Sequence, residues 1–140
     1  MKAAGYRTGA FGKWGLGFVG TSGDPNKQGI DEFYGFNCQL LAHSYYADHI
    51  WHNSERIELK DNVDSIPYGQ GTYIPDLIHE KALEFMETSA KEKQPFFLWY
   101  PTTIPHAELI VPKDSIIDRF IGKYPETPYH GTDSGPGFRK

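Results

Sequence analysis

The sequence predicts an α/β fold, a partial sheet carrying one packed helix and a small hairpin. Three observations predict it. Tyr6 to Phe11 is a run of small, β-prone and aromatic residues that ends in a loop containing Gly12, Gly15 and Gly17, as a short strand with a tight exit would. Residues from about Pro75 to Glu92 carry a helical period. Pro95-Phe96-Phe97-Leu98-Trp99-Tyr100 is continuously apolar, the pattern of a strand buried on both faces.

The elements follow in order. Met1-Lys2-Ala3-Ala4-Gly5 reads as a helix end running straight into the first strand, and predicts a segment from inside a longer chain. Thr21 to Gln28 is polar, with Asp24-Pro25-Asn26 as its corner, and reads as an exposed loop. Gly29 to Tyr46 is dense in aromatic residues without a clean period, which suggests irregular packing across a sheet edge. His49 to Leu59 places Ile50, Trp51, Ile57 and Leu59 on either side of Asn53-Ser54-Glu55 and suits a hairpin. Lys60 to Gly71 reads as a linker.

In the helix, Pro75 fits the first turn and Asp76 complements the N-terminal dipole. Ile78, Ala82, Phe85, Met86 and Ser89 share one face, with Glu80, Lys81, Glu84, Glu87 and Lys91 on the others, so the helix packs on a sheet. Beyond the last strand, Pro105, Pro112, Pro125, Pro128 and Pro136 leave little room for regular structure. Ser115 to Ile121 is the exception, long enough for one or two helical turns, and Tyr124 to Lys140 reads as an extended loop.

A chain of 140 residues bounds the molecule to one domain or part of one, and we read residues 1–140 as a single partial domain. The formal charge of −4 gives no basis for binding nucleic acid or an anionic membrane, so any anion must be held by a local site. No apolar run approaches the roughly 18 residues of a membrane span. A lone cysteine, Cys38, excludes an internal disulfide, and its setting in Asn37-Cys38-Gln39 suits a packed small side chain. Strand edges without neighbours would favour self-association.

Two functional groups stand at strand ends, where open α/β sheets bind ligands. Lys13 lies between glycines at the end of the first strand, and His106 follows the second strand in Pro101-Thr102-Thr103-Ile104-Pro105-His106. A lysine and an imidazole in one crevice can hold a tetrahedral anion and protonate a leaving oxygen. Spacing alone favours a loop histidine bonded to a backbone carbonyl for His106. His43, in Ala42-His43-Ser44-Tyr45-Tyr46, is a third candidate, for contact with a polar substrate. His49 and His52 flank Trp51 without a third ligand nearby, which fits a hairpin surface better than a metal. His79 and His130 have no evident partner, and no metal site is predicted.

Taken together, Gly5-Tyr6-Arg7-Thr8 with Phe11-Gly12-Lys13-Trp14-Gly15-Leu16-Gly17, Gly29-Ile30-Asp31-Glu32-Phe33-Tyr34-Gly35-Phe36, Ala42-His43-Ser44-Tyr45-Tyr46, Pro95-Phe96-Phe97-Leu98 and Pro105-His106-Ala107-Glu108 resemble the sulfatase family in its arylsulfatase-like branch. The resemblance runs from Gly5 to about Pro112. It implies a partial sulfatase-type sheet of the alkaline phosphatase superfamily, and hydrolysis of sulfate esters with a formylglycine nucleophile and a bound calcium ion. It assigns Lys13 to a sulfate oxygen, His106 to the bridging oxygen and His43 to the substrate pocket.

The sequence departs from the family pattern in two ways. Gly15 stands where many members have histidine, although some bacterial branches also carry glycine. The formylglycine segment and the acidic calcium ligands are absent, since Cys38 is followed by Gln39-Leu40-Leu41. The expectation is therefore an internal piece of a sulfatase, inactive alone, whose parent supplies calcium and formylglycine and acts on a sulfated carbohydrate. The alternatives are a phosphate or phosphonate ester hydrolase of the same superfamily, and a noncatalytic glycan-binding module that exposes the aromatic residues between Phe33 and Trp51.

Overall fold

The computed structural model describes residues 1–62, 70–106, 110–112 and 114–125. Five strands form one sheet: β1 (Arg7–Lys13), β2 (Glu32–Phe36), β3 (His49–His52), β4 (Glu55–Glu58) and β5 (Phe96–Trp99), in the order β4-β3-β2-β1-β5. Helix α1 (Ile74–Lys91) connects β4 to β5 and lies across β1, β2 and β5. β1 is an interior strand, next to the edge, and is parallel to both neighbours, pairing Gly9 with Glu32 on one side and Arg7 with Phe96 on the other. β3 and β4 form the antiparallel hairpin, turned at Asn53, whose φ of 52° is one that asparagine tolerates.

Alternation along β1 and β2 sends side chains to two cores. On the helix side, Phe11, Tyr34, Phe36 and Ile50 pack with Ile74, Ile78, Ala82 and Phe85. On the other, Ala10, Trp14, Ile30 and Phe33 form a smaller cluster with Trp51 against it. Phe11 and Phe85 meet at 5.3 Å between ring centres, and the Arg7 guanidinium covers the Phe85 ring at 4.7 Å. The helix buries the predicted Ile78, Ala82, Phe85 and Ser89, with Met86 half-buried.

Four expectations need correction. The segment read as irregular packing at a sheet edge contains β2, an interior strand. Its aromatic residues lack a period because Phe33, Tyr34 and Phe36 are all buried, on alternate faces. β5, read as buried on both faces, is an edge strand whose Phe96, Phe97 and Trp99 are 37 to 39% exposed, because only β1 lies beside it. The corner at Asp24 is not fully exposed. Its buried carboxylate accepts hydrogen bonds from the Gly20 and Asn26 amides and starts a 3-10 turn over Pro25–Gln28. The Lys60–Gly71 linker begins with an ordered 3-10 turn, Lys60–Asn62, and the Asn62 carboxamide bonds the backbone of Ala47 and Thr72. The rest of that linker at 63–69, and the tail from 126, lie outside the described residues.

Candidate functional site

β1 continues two residues beyond the apolar run, so Lys13 is its last residue and its position is set by the sheet. The Lys13 amide donates to the Pro101 carbonyl at 2.9 Å, and the Trp14 amide donates to Phe36 at 2.9 Å. The exits of β5 and β2 are thus fastened to either side of the lysine. Gly12 makes this approach possible: at φ 135° it is beyond the ordinary range of other residues, and a Cβ there would run into the Pro101 carbonyl. Trp14 anchors the next residue in the opposite core, where Nε1 donates to the Gly23 carbonyl at 2.7 Å and the indole meets Trp99.

The β5 exit brings in His106. Its amide donates to the Thr103 carbonyl and to the Tyr45 hydroxyl, each at 2.7 Å. The same phenol oxygen stands 3.2 Å from the carbonyls of Thr103 and His106. Tyr45 is only 2% exposed, and its own carbonyl accepts from the first amide of α1, Ile74, at 2.9 Å. It therefore ties the β5 exit, the loop after β2 and the start of the helix together. Tyr73 packs on it at 5.8 Å, with a phenol pushed up to about 12 chiefly by burial, with smaller effects from Tyr45, Tyr46 and Asp76.

His43 ends a 3-10 turn, Leu41–His43, and its imidazole meets that of His106 at 4.7 Å between centres, nearly perpendicular at 83°. Burial first, then His43, then the Lys13 ammonium hold the His106 imidazole below its ordinary 6.5. The three residues singled out in the sequence are thus brought to one end of the sheet. This depression favours the neutral form of the ring at neutral pH.

The other histidines lie apart from this cluster. His49 stands against Asp48 and Arg56, while His52 faces Glu32 at 3.8 Å and stacks edge-on with Tyr34, so both serve the hairpin surface. His79 contacts Tyr100, and His130 lies outside the described residues. Phe33, Tyr34, Phe36, Tyr45 and Tyr46 are buried in the fold, which removes them as an exposed platform for sugar rings. Among the described residues no group of three or more His, Cys, Asp or Glu could hold a metal ion, so they do not fit a calcium site. None of their helices is long and apolar enough to cross a membrane.

Sequence reasoning missed Tyr45 as the post of the site, having counted it only among aromatic residues. It also passed over Asn37, which follows β2 directly and is buried with neither polar side-chain atom hydrogen-bonded. A polar residue closing an aromatic strand was the available signal.

Comparison with known proteins gives this geometry a family. The chain is 30% identical over 134 residues to an arylsulfatase of Klebsiella aerogenes, covering 89% of this chain and 26% of that protein. It is 30% identical over 106 residues to an N-acetylglucosamine-6-O-sulfatase of Bacteroides thetaiotaomicron, covering 76% of this chain and 16% of that one. It therefore spans about a quarter or less of these relatives. A solved structure in complex with its substrate D-glucosamine-2-N,6-O-disulfate superposes with a TM-score of 0.60 at 25% identity, covering 90% of this chain and 22% of that one. The PsFucS1 sulfatase from Pseudoalteromonas sp. shares the fold, with a TM-score of 0.59 at 14% identity over 80% of this chain and 27% of its own. The family model described as Sulfatase matches residues 1–133, nearly the whole chain, and this protein belongs to the sulfatase family.

Proposed function

We propose that this chain is the part of a sulfatase that receives the sulfate group of a sulfated carbohydrate, with Lys13 on a sulfate oxygen, His106 on the bridging oxygen and His43 in the substrate pocket. The convergence of these side chains on the carboxyl end of β1 is the observation that supports the reading. In this role the lysine ammonium offsets charge on the non-bridging oxygens as the sulfur–oxygen ester bond breaks. His106 takes up a proton as the anion binds and gives it to the departing oxygen, which leaves as an alcohol. His43 stands against the His106 ring and limits its orientation.

The nucleophile is assigned to the parent protein as formylglycine, together with calcium, and the 140-residue chain alone is proposed to be inactive. Sulfated carbohydrate is preferred to a simple aryl sulfate because two of the similar proteins are a sulfatase of N-acetylglucosamine and a protein bound to a sulfated glucosamine.

The test is release of sulfate from 6-O-sulfated glucosamine by the full-length parent and by the 140-residue chain. The parent should turn over. Lys13→Ala should lower kcat by about 10²-fold or more, and His106→Ala by about 10²- to 10⁴-fold. Activity within a few-fold of wild type in both variants would sink the assignment, and turnover by the short chain would sink the claim that it is inactive.

A further inference from the structure

The segment leaving β2, Asn37-Cys38-Gln39, runs beside the segment leaving β1, since the Trp14 amide is bonded to Phe36. Gly15 follows Trp14. Its backbone is not in the left-handed region, so conformation does not require glycine there. Space is tight there rather than closed: a Cβ at Gly15 would stand 3.1 Å from Nε2 of Gln39, 3.5 Å from its Cγ and 3.7 Å from its Cδ, so the flexible Gln39 side chain would have to give way slightly. The Gln39 side chain therefore lies over the bare backbone of Gly15, two residues past Lys13.

Gln39 is exposed, and its carboxamide has no hydrogen-bond partner among the described residues. Asn37, two residues earlier, is 3% exposed and leaves both polar side-chain atoms unbonded. Buried polar groups are nearly always bonded, so Asn37 carries hydrogen-bonding capacity that the described fold does not use, and the Gln39 carboxamide is accessible to a ligand. The Ala42 amide donates to Cys38 at 3.2 Å, so the same stretch begins the turn that delivers His43.

We propose that Gln39 is a further ligand-contacting residue of this crevice, its carboxamide laid across Gly15 to donate an N–H to an oxygen of the bound sulfate group beside Lys13. Glycine at position 15 is then part of the same device, because a side chain there would displace the carboxamide. A neutral donor suits the position: it adds a directed hydrogen bond to the oxyanion without a second positive charge beside the Lys13 ammonium and the His106 ring.

The inference rests on the proposed sulfate site, and the experiment separates the two. The 140-residue chain is titrated with sodium sulfate at constant ionic strength, using chloride as the control anion, and followed by the NMR signals of the Lys13 amide and the His106 ring. Wild type should bind, and Lys13→Ala should abolish binding. Gln39→Leu, which keeps the bulk and removes the donor, should weaken binding about 3- to 10-fold. Gln39→Glu, of the same shape but negative, should weaken it further, and Gly15→Val should match Gln39→Leu. Gly15 and Gln39 are exposed and Lys13 is half-buried, and thermal unfolding of each variant checks that the fold is intact. If Lys13→Ala abolishes binding while both Gln39 variants match wild type, the role of Gln39 is overturned and the sulfate site stands. If wild type does not bind, or Lys13→Ala binds equally well, both fall.

Discussion

Replacing Tyr45 with phenylalanine tests whether one buried phenol builds the site. The ring and its packing against Tyr73 stay, and only the hydroxyl is lost. That oxygen accepts the His106 amide at 2.7 Å and lies 3.2 Å from two carbonyls, in a side chain only 2% exposed. The His106 amide keeps its second acceptor, Thr103, so no donor is wholly stranded. The expected loss is that of a neutral buried hydrogen-bond set with partial compensation, about 1–2 kcal/mol. For a chain of this size that corresponds to a fall in Tm of roughly 3–8 °C. The sharper consequence is local. With the β5 exit released, the His106 ring should drift from His43 and Lys13 and regain water, so its pKa should return upward toward 6.5. Thermal unfolding measures the first effect, and NMR titration of the His106 ring measures the second. An unchanged His106 titration in Tyr45→Phe would refute the claim that this phenol positions the site, even if stability fell.

Three further outcomes follow from the same geometry. Gly12→Ala should cost about 3 kcal/mol or more, because the methyl meets the Pro101 carbonyl at a backbone angle alanine avoids, and chemical denaturation would show it. The folded His106 binds its proton less readily than the unfolded chain, so its contribution to stability is present above about pH 6.5 and lost as pH falls through the lower, folded value. Wild type should therefore lose more Tm than His106→Gln between about pH 7.5 and about pH 5, and parallel curves would contradict this. Finally, Phe97→Lys on the exposed edge of β5 should reduce self-association of the 140-residue chain in light scattering, with no change if that edge does not mediate it.

The helix and hairpin were legible because their signals are local. Pro75 and Asp76 mark the helix start, and Asn53-Ser54 marks the turn, close to where the structure has them. β2 was not legible, because a strand covered on both faces loses the alternation that betrays a half-buried one. β5 misled in the opposite direction: six apolar residues in a row look central, and nothing within the run says how many strands lie beside it. Lys13 and His106 could be named from their places at strand ends, and His43 from its place in the aromatic loop. Their meeting could not be read from spacing alone, because it depends on Tyr45 reaching the β5 exit, 61 residues further along.

The place of β1 between two parallel neighbours has a consequence in time. Its parallel neighbours come from Glu32–Phe36 and from Phe96–Trp99, so the pairing of Arg7 with Phe96 must wait until the helix between them has been synthesised. During synthesis Lys13 stays without Pro101 or His106 beside it until α1 and β5 have followed it. Such distant pairings close slowly and leave apolar strands uncovered in the meantime. The junction of Lys13 with Pro101 therefore forms only after β5, and translation speed between β4 and β5 would affect how much chain reaches it before sticking to something else.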